Sequence, residues 1–342
     1  MHCSPHDASH RIAAEFNHWI LQAAVVEKEK MSTDSEDKTL LDREAEFWDR
    51  QEEAIESLYA RPHDWRFMPN IAKGIIAPRI NFVVDVLTKR RGSIDSLLDI
   101  GCGNGWFCHV AAEAGVRTFG VDLSPRKIET ARAEAERRGL SDLCTFEAAD
   151  IMELEIPGKV DLLTAHGSLH HFPDLERLLP LMVERFLNPD GYMLFSEPHY
   201  EGMSPGLQRF VLGLAQRWPF KHLFDLDFYY EVTGATEKAE QGDDEYNIRG
   251  ESPAGLEFFG EEPDMGKILR ERYHVLEERF FHNFSGHLTN AFYVYMKSRV
   301  MRGLYRMLLP LIIRADTAAC RREKHGRYAE EGVWLLENKP AR

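Results

Sequence analysis

The segment Leu97-Leu98-Asp99-Ile100-Gly101-Cys102-Gly103-Asn104-Gly105-Trp106 constrains the fold of this chain more than any other. The largely apolar run Ile94 to Ile100 suits a strand covered on both faces, as in a parallel sheet. Three glycines at alternate positions follow it. Glycine tolerates positive φ in a tight turn and leaves room for a ligand beside the backbone. A helical pattern begins at Trp106, and the free N–H groups of a helix start favour an anionic ligand group. Strand, glycine turn and helix together read as the ligand-binding edge of an α/β sheet.

The same rhythm continues downstream. Thr118 to Val121 reads as a second strand. Ser124 and Pro125 form a helix start, with the serine as cap and the proline at the first helical position. Gly139 ends that helix. Cys144 to Ala148 and Val160 to Ala165 read as third and fourth strands, and a helix is expected over about Asp174 to Leu187, kinked or starting late at Pro180. Asn188-Pro189-Asp190-Gly191 reads as a turn before a fifth strand, Tyr192 to Ser196. Val275 to Phe281 and Val333 to Glu337 read as strands that return to the sheet.

The expected fold class is therefore α/β: a doubly wound, mainly parallel seven-stranded sheet with a helical N-terminal cap and helical insertions late in the chain. The expected organisation is an extension (1–30), a helical cap (31–92), the core (93–200), an inserted cap or substrate region (201–272), and the final strands (273–342) with a basic helical insertion at about 286–328. Within the first cap, Leu41 to Tyr59 and Ile80 to Leu87 read as helices, with Pro62, Pro69 and Pro78 as punctuation. Met31 opens an ordinary polar start, so residues 1–30 read either as an upstream extension or as an extra helix.

With 342 residues, 44% of them hydrophobic, the chain has ample material for a core. A formal net charge of −14 argues against nucleic acid and against a globally membrane-seeking surface. The five cysteines, Cys3, Cys102, Cys108, Cys144 and Cys320, are scattered and contain no C-x-x-C pair, so no metal site, iron–sulfur cluster or disulfide framework is expected. No apolar run is long enough for a bilayer, and the N-terminus does not read as a signal peptide, so the expected location is cytoplasmic.

Two cofactor classes use a strand–glycine loop–helix unit. The dinucleotide fingerprint G-x-G-x-x-G requires a small residue where this chain has Trp106. The pattern Asp-x-Gly-Cys-Gly-x-Gly, with Asp99 two residues before Gly101, instead resembles motif I of class I, Rossmann-like, S-adenosylmethionine-dependent methyltransferases. Asp122 ends the second strand, where a carboxylate can accept from both hydroxyls of a ribose. Asp150 stands in register after the third strand. The run Asp161 to Phe172, containing Leu169-His170-His171, is similar to motif IV and the loop after it in small-molecule members. The resemblance covers about residues 93–200.

The resemblance implies S-adenosyl-L-methionine as cofactor, with Asp99, Gly101, Cys102, Gly103, Gly105, Asp122, Leu123, Asp150, Ile151 and His166 around it. It implies that the glycine loop holds the methionine end, that Leu123 packs on the adenine and that Asp150 accepts from the adenine amino group. Methyl transfer to a hydroxyl also needs a base, commonly histidine. Candidates lie at the ends of the fourth and fifth strands: His166, His170, His171, Glu197 and His199. His170 or His171 is the favoured base; His166 offers either its ring or only its backbone carbonyl.

The expected function is O-methylation of a small-molecule acceptor. N- or C-methylation on the same fold, an NAD-dependent oxidoreductase and a non-catalytic cofactor-binding partner protein are the alternatives. Two regions stay open. The aromatic patch from Trp218 to Tyr230 reads more readily as the core of an inserted cap than as an acceptor wall. The basic segment 297–327 has apolar residues (Tyr293, Met296, Val300, Met301, Leu304, Leu308) at helical spacing. It reads as a solvated face paired with the acidic run Glu44 to Glu56, within the chain or in a homodimer, with membrane or lipid contact as the less favoured alternative.

Overall fold

The computed structural model describes residues 39–58, 70–172, 174–199, 265–289, 296–322 and 328–340, with positions 210, 213, 217, 222, 223 and 293. Residues 1–30 and the aromatic patch from Trp218 to Tyr230 lie outside the described residues.

Among the described residues two α-helices precede the sheet, α1 (Leu40–Leu58) and α2 (Asn70–Lys89). A reciprocal cap starts α1. Thr39 N–H donates to Asp42 Oδ2 at 3.1 Å, and Asp42 N–H donates to Thr39 Oγ1 at 3.2 Å. Pro78 was expected to punctuate the chain, but it lies inside α2. An interior proline costs a helix about 3 kcal/mol. The buried side chains of Ile80, Phe82, Val83, Val86 and Leu87 on that helix outweigh this, at roughly 1.5–3 kcal/mol for each large one.

The core follows in the order β1 (Ser96–Ile100), α3 (Trp106–Glu113), β2 (Arg117–Asp122), α4 (Pro125–Arg138), β3 (Cys144–Ala148), β4 (Val160–His166), α5 (Leu175–Phe186) and β5 (Leu187–Pro198). The start of α4 is as its sequence predicts: Ser124 accepts from Lys127 N–H at 3.1 Å, Pro125 occupies the first turn, and Gly139 ends the helix in the left-handed region. Helix α5 starts at Leu175, ahead of Pro180 rather than at it, and Leu175, Leu179, Met182, Val183 and Phe186 form one buried stripe.

Asn188 to Gly191 are not a separate turn. Val160 pairs with Leu187 and Leu162 with Tyr192, so four residues of β5 stand opposite Asp161 alone. Asp161 holds this excursion by accepting from Asn188 Nδ2 at 2.8 Å and from the N–H groups of Asp95 and Ser96.

The chain closes with α6 (Met265–Arg272), β6 (Tyr273–Phe281), the short α7 (Ser285–Leu288), α8 (Arg299–Arg322) and β7 (Glu331–Pro340). The seven strands lie in the order β3-β2-β1-β4-β5-β7-β6. The sheet is mixed rather than purely parallel, since β7 runs antiparallel to both β5 and β6. Alternation of side chains puts Leu98 and Ile100 of β1 in one core, with α5 and α6, and Leu97 in the other, with α2, α3 and α4. Strand order reverses between β1 and β4. The crevice beyond the carboxyl ends of those two strands is where ligands of such sheets bind.

Candidate functional site

All three loop glycines have positive φ: 63° at Gly101, 53° at Gly103 and 73° at Gly105. Their neighbours exclude side chains as well. A Cβ on Gly101 would stand 2.4 Å from Ser168 Cβ, and one on Gly105 would stand 2.7 Å from the Phe146 ring. The loop after β4 is thus pressed onto the loop after β1, and Ser168 Oγ seals the contact by donating to the Ile100 carbonyl at 2.6 Å.

Asp122 ties this arrangement together. Its Oδ2 accepts from Gly103 N–H at 2.8 Å and its Oδ1 from Ser124 N–H at 2.9 Å. Each carboxylate oxygen keeps a lone pair for a further donor. Asp150 Oδ1 likewise accepts from Met152 N–H at 2.9 Å.

A cavity of about 670 Å³ opens at this point, a size typical of ligand sites. Asp99, Gly101, Cys102, Gly103, Asp122, Leu123, Asp150, Ile151, His166 and His171 all line it. The structure therefore brings together most of the residues singled out from the sequence. Gly105 is set back, where it packs against Phe146 and caps α3. His170 and Glu197 are also behind the wall. His199 is elsewhere: its ring packs on Phe280 and Trp334, with centroids 4.8 and 6.0 Å away. That position corrects the expectation that His199 is a candidate base.

Four lining residues, Asp99, Cys102, His166 and His171, carry perturbed protonation. Burial pushes the Asp99 carboxyl from 3.8 up to about 7, against the hydrogen bond from Thr164 Oγ1 at 2.7 Å and aided by the Asp122 charge. An acid raised in this way favours folding while protonated. Stability is full below the ordinary value of 3.8 and falls as pH rises through about 7. Replacing Asp99 with the near-isosteric Asn is therefore expected to flatten thermal stability against pH between these limits. A wild-type dependence in the variant would show that another group governs it.

Burial also lowers the His166 imidazole to about 3, with Arg79 adding to the effect. The ring is neutral at physiological pH and packs beside Trp106 and Phe107, with centroids 5.2 and 4.5 Å away. Both its ring nitrogens are buried without a hydrogen-bond partner. A neutral imidazole so placed offers one donor and one acceptor to a ligand. The cofactor implied by the loop pattern fits this wall: a cradle that excludes Cβ atoms, a carboxylate on β2 with acceptor capacity left, and an imidazole lacking partners.

The wall opposite holds residues that sequence reasoning missed. Helix α1 supplies it, with Thr39, Leu40, Leu41, Glu44 and Trp48. Glu44 is buried, accepts from Trp48 Nε1 at 2.7 Å, and has Oε1 3.3 Å from His171 Nδ1. Trp48 meets the His171 ring edge-on, with centroids 5.2 Å apart, and Lys127 Nζ lies 3.9 Å over the indole. Asp49 docks the helix onto the start of α4, accepting from Ser124 Oγ and from Arg126 N–H. The Thr39–Asp42 cap and the Glu44–Trp48 spacing of one helical turn were the available signals.

The turn Leu169–His171 is organised by Glu197 from β5. Its Oε1 accepts from the N–H groups of Ser168 and Leu169 at 3.1 Å each, and its Oε2 lies 2.8 Å from His170 Nδ1. The two imidazoles stand 3.9 Å apart. Burial, with smaller contributions from His170 and Lys127, holds His171 well below the ordinary histidine value. Burial likewise keeps Cys102 and Cys108 as inert thiols. Among the described residues no group of three or more His, Cys, Asp or Glu is placed to hold a metal ion.

Comparison with known proteins agrees with this geometry. Residues 93–252 match a family described as a methyltransferase domain. The fold and site are those expected of a Rossmann-like S-adenosylmethionine-dependent methyltransferase, and the match, over just under half of the chain, is a similarity to its domain. Over 105 residues the chain is 36% identical to 27-O-demethylrifamycin SV methyltransferase of Amycolatopsis mediterranei, covering 30% of this chain and 38% of that protein. Over 115 residues it is 30% identical to norajmaline N-methyltransferase of Rauvolfia serpentina, covering 33% and 39%. The chain thus spans about two-fifths of the length of these curated relatives. A solved methyltransferase from Geobacter sulfurreducens in complex with S-adenosyl-L-homocysteine is 18% identical, with a TM-score of 0.43, over 85% of this chain and 98% of that one.

Proposed function

We propose that the protein transfers a methyl group from S-adenosylmethionine to a hydroxyl of a small, largely apolar acceptor, with His171 as the base. One observation carries this reading: His171 stands on the cavity wall as a neutral imidazole, with the buried Glu44 carboxylate 3.3 Å from its Nδ1.

In this reading Asp122 receives the ribose hydroxyls, Leu123 packs on the adenine and Asp150 accepts from its amino group. Gly101 and Gly103 admit the methionine end, and His166 hydrogen-bonds to the cofactor without exchanging a proton. S-adenosylmethionine supplies the electrophilic methyl carbon. The acceptor lies under α1, against Trp48, Phe172 and Leu178, which exclude water and set its approach. As the oxygen–methyl bond forms, the hydroxyl proton passes to His171, and Glu44 stabilises the resulting imidazolium. His170 does not reach the acceptor; with Glu197 it fixes the turn that aims His171.

A second reading, N-methylation, is favoured by Glu44 itself, since a buried carboxylate on the wall also suits a cationic amine. Transfer of labelled methyl to a panel of phenols, enols and amines, using wild type, His171→Gln and Glu44→Gln, separates the two. Hydroxyl acceptors lost with His171→Gln support O-methylation. Amine acceptors that ignore His171→Gln but are lost with Glu44→Gln sink it.

A further inference from the structure

We infer that the outward face of α8 docks on an anionic phospholipid surface. The helix has six arginines, and its one acidic residue is Asp316. Asp316 is buried and committed inward, accepting from Phe284 N–H at 2.7 Å and from Ser285 Oγ at 3.0 Å. The inner face also holds Tyr305, Leu309 and Cys320, and it packs against α2 and β6.

The opposite face is apolar and open. Val300 is 72% exposed, Met307 76% and Leu311 60%, with Leu304 and Leu308 about half exposed. At 100° per residue these five side chains form one stripe about 100° wide, on the side of the helix away from the buried one. The sequence pattern placed Val300, Leu304 and Leu308 in one set with Tyr293 and Met296, but only the last two are in the core. Exposed Arg306, Arg314 and Arg321 border the stripe on one side. No exposed acidic residue interrupts it.

Charge selects the occupant. Two copies of this face brought together would set rows of arginine near one another. Lipid phosphates meet the arginines while acyl chains receive the stripe. The stripe holds flexible aliphatic side chains and no Trp or Tyr, the residues that anchor protein partners. From Val300 to Leu311 it extends about 17 Å, so the helix lies in the interface plane. No helix among the described residues is long and apolar enough to cross a membrane.

Flotation of the full chain with vesicles tests this. The chain is expected to float with phosphatidylserine-containing vesicles, weakly with phosphatidylcholine alone, and less as salt rises. Met307→Glu/Leu311→Glu is expected to abolish flotation, and Arg314→Gln/Arg321→Gln to weaken it about tenfold or more. Both variants change exposed positions, and unchanged melting and cofactor affinity confirm their fold. Failure to bind anionic vesicles, or binding that survives the Met307→Glu/Leu311→Glu change, overturns the inference. So does a lipid-indifferent dimer, seen by light scattering, that the same substitutions dissolve.

Discussion

Titration calorimetry with S-adenosylhomocysteine is expected to show Asp122→Ala binding about a hundredfold more weakly than wild type. In the proposed cofactor pose Asp122 makes two charge-assisted hydrogen bonds to ribose hydroxyls, and at roughly 1.5–3 kcal/mol each these give a loss of that order. The carboxylate also fastens Gly103 N–H and Ser124 N–H, so the alanine frees the glycine loop as well. Asp122→Asn keeps one acceptor oxygen and should fall between the two. An affinity within twofold of wild type for Asp122→Ala would remove the ribose from this part of the wall.

The largest effect on turnover is expected at His171. With a hydroxyl acceptor, His171→Gln should lower kcat by about a hundred- to ten-thousandfold while cofactor affinity stays unchanged. His170→Ala should act more mildly, because His170 reaches the site through the turn it shares with Glu197. The pH profile carries a further sign. A base must be neutral to accept a proton, and His171 is held well below the ordinary 6.5. The acid limb of kcat/KM should therefore lie below pH 6.5, with activity full above it. Equal turnover by wild type and His171→Gln would return the base to another group.

Much of this site was legible in the chain because it rests on local chemistry. Gly101, Asp122 and Asp150 follow strands whose apolar runs and flanking caps are readable over a few residues. Register then brings them to one edge, since parallel strands place their carboxyl ends together. The wall from α1 was not legible. Glu44 belongs to a charge-rich stretch that reads as solvated, and only its packing beneath Trp48 and beside His171 shows otherwise. Pro78 was over-read as punctuation; like Pro180, which was expected within its helix, it lies inside a helix, where a continuous buried stripe outweighs one missing hydrogen bond. His199 sits one residue beyond β5, yet its ring turns away to Phe280 and Trp334. Sequence position fixes an edge of the sheet but not the direction of a side chain.

The placement of β7 bears on how the chain reaches this state. Its residues 331–340 are near the end of the sequence, yet they lie between β5 and β6. During synthesis β5 and β6 emerge first, each with an unpaired ladder edge facing the gap that β7 will fill. Exposed edges of this kind invite pairing between chains. Closure waits for residues 331–340, and Trp334, fully buried once in place, locks it. A chain cut short before residue 331 loses the middle of one half of its sheet rather than a margin, so residues 331–340 govern its solubility as a nascent chain.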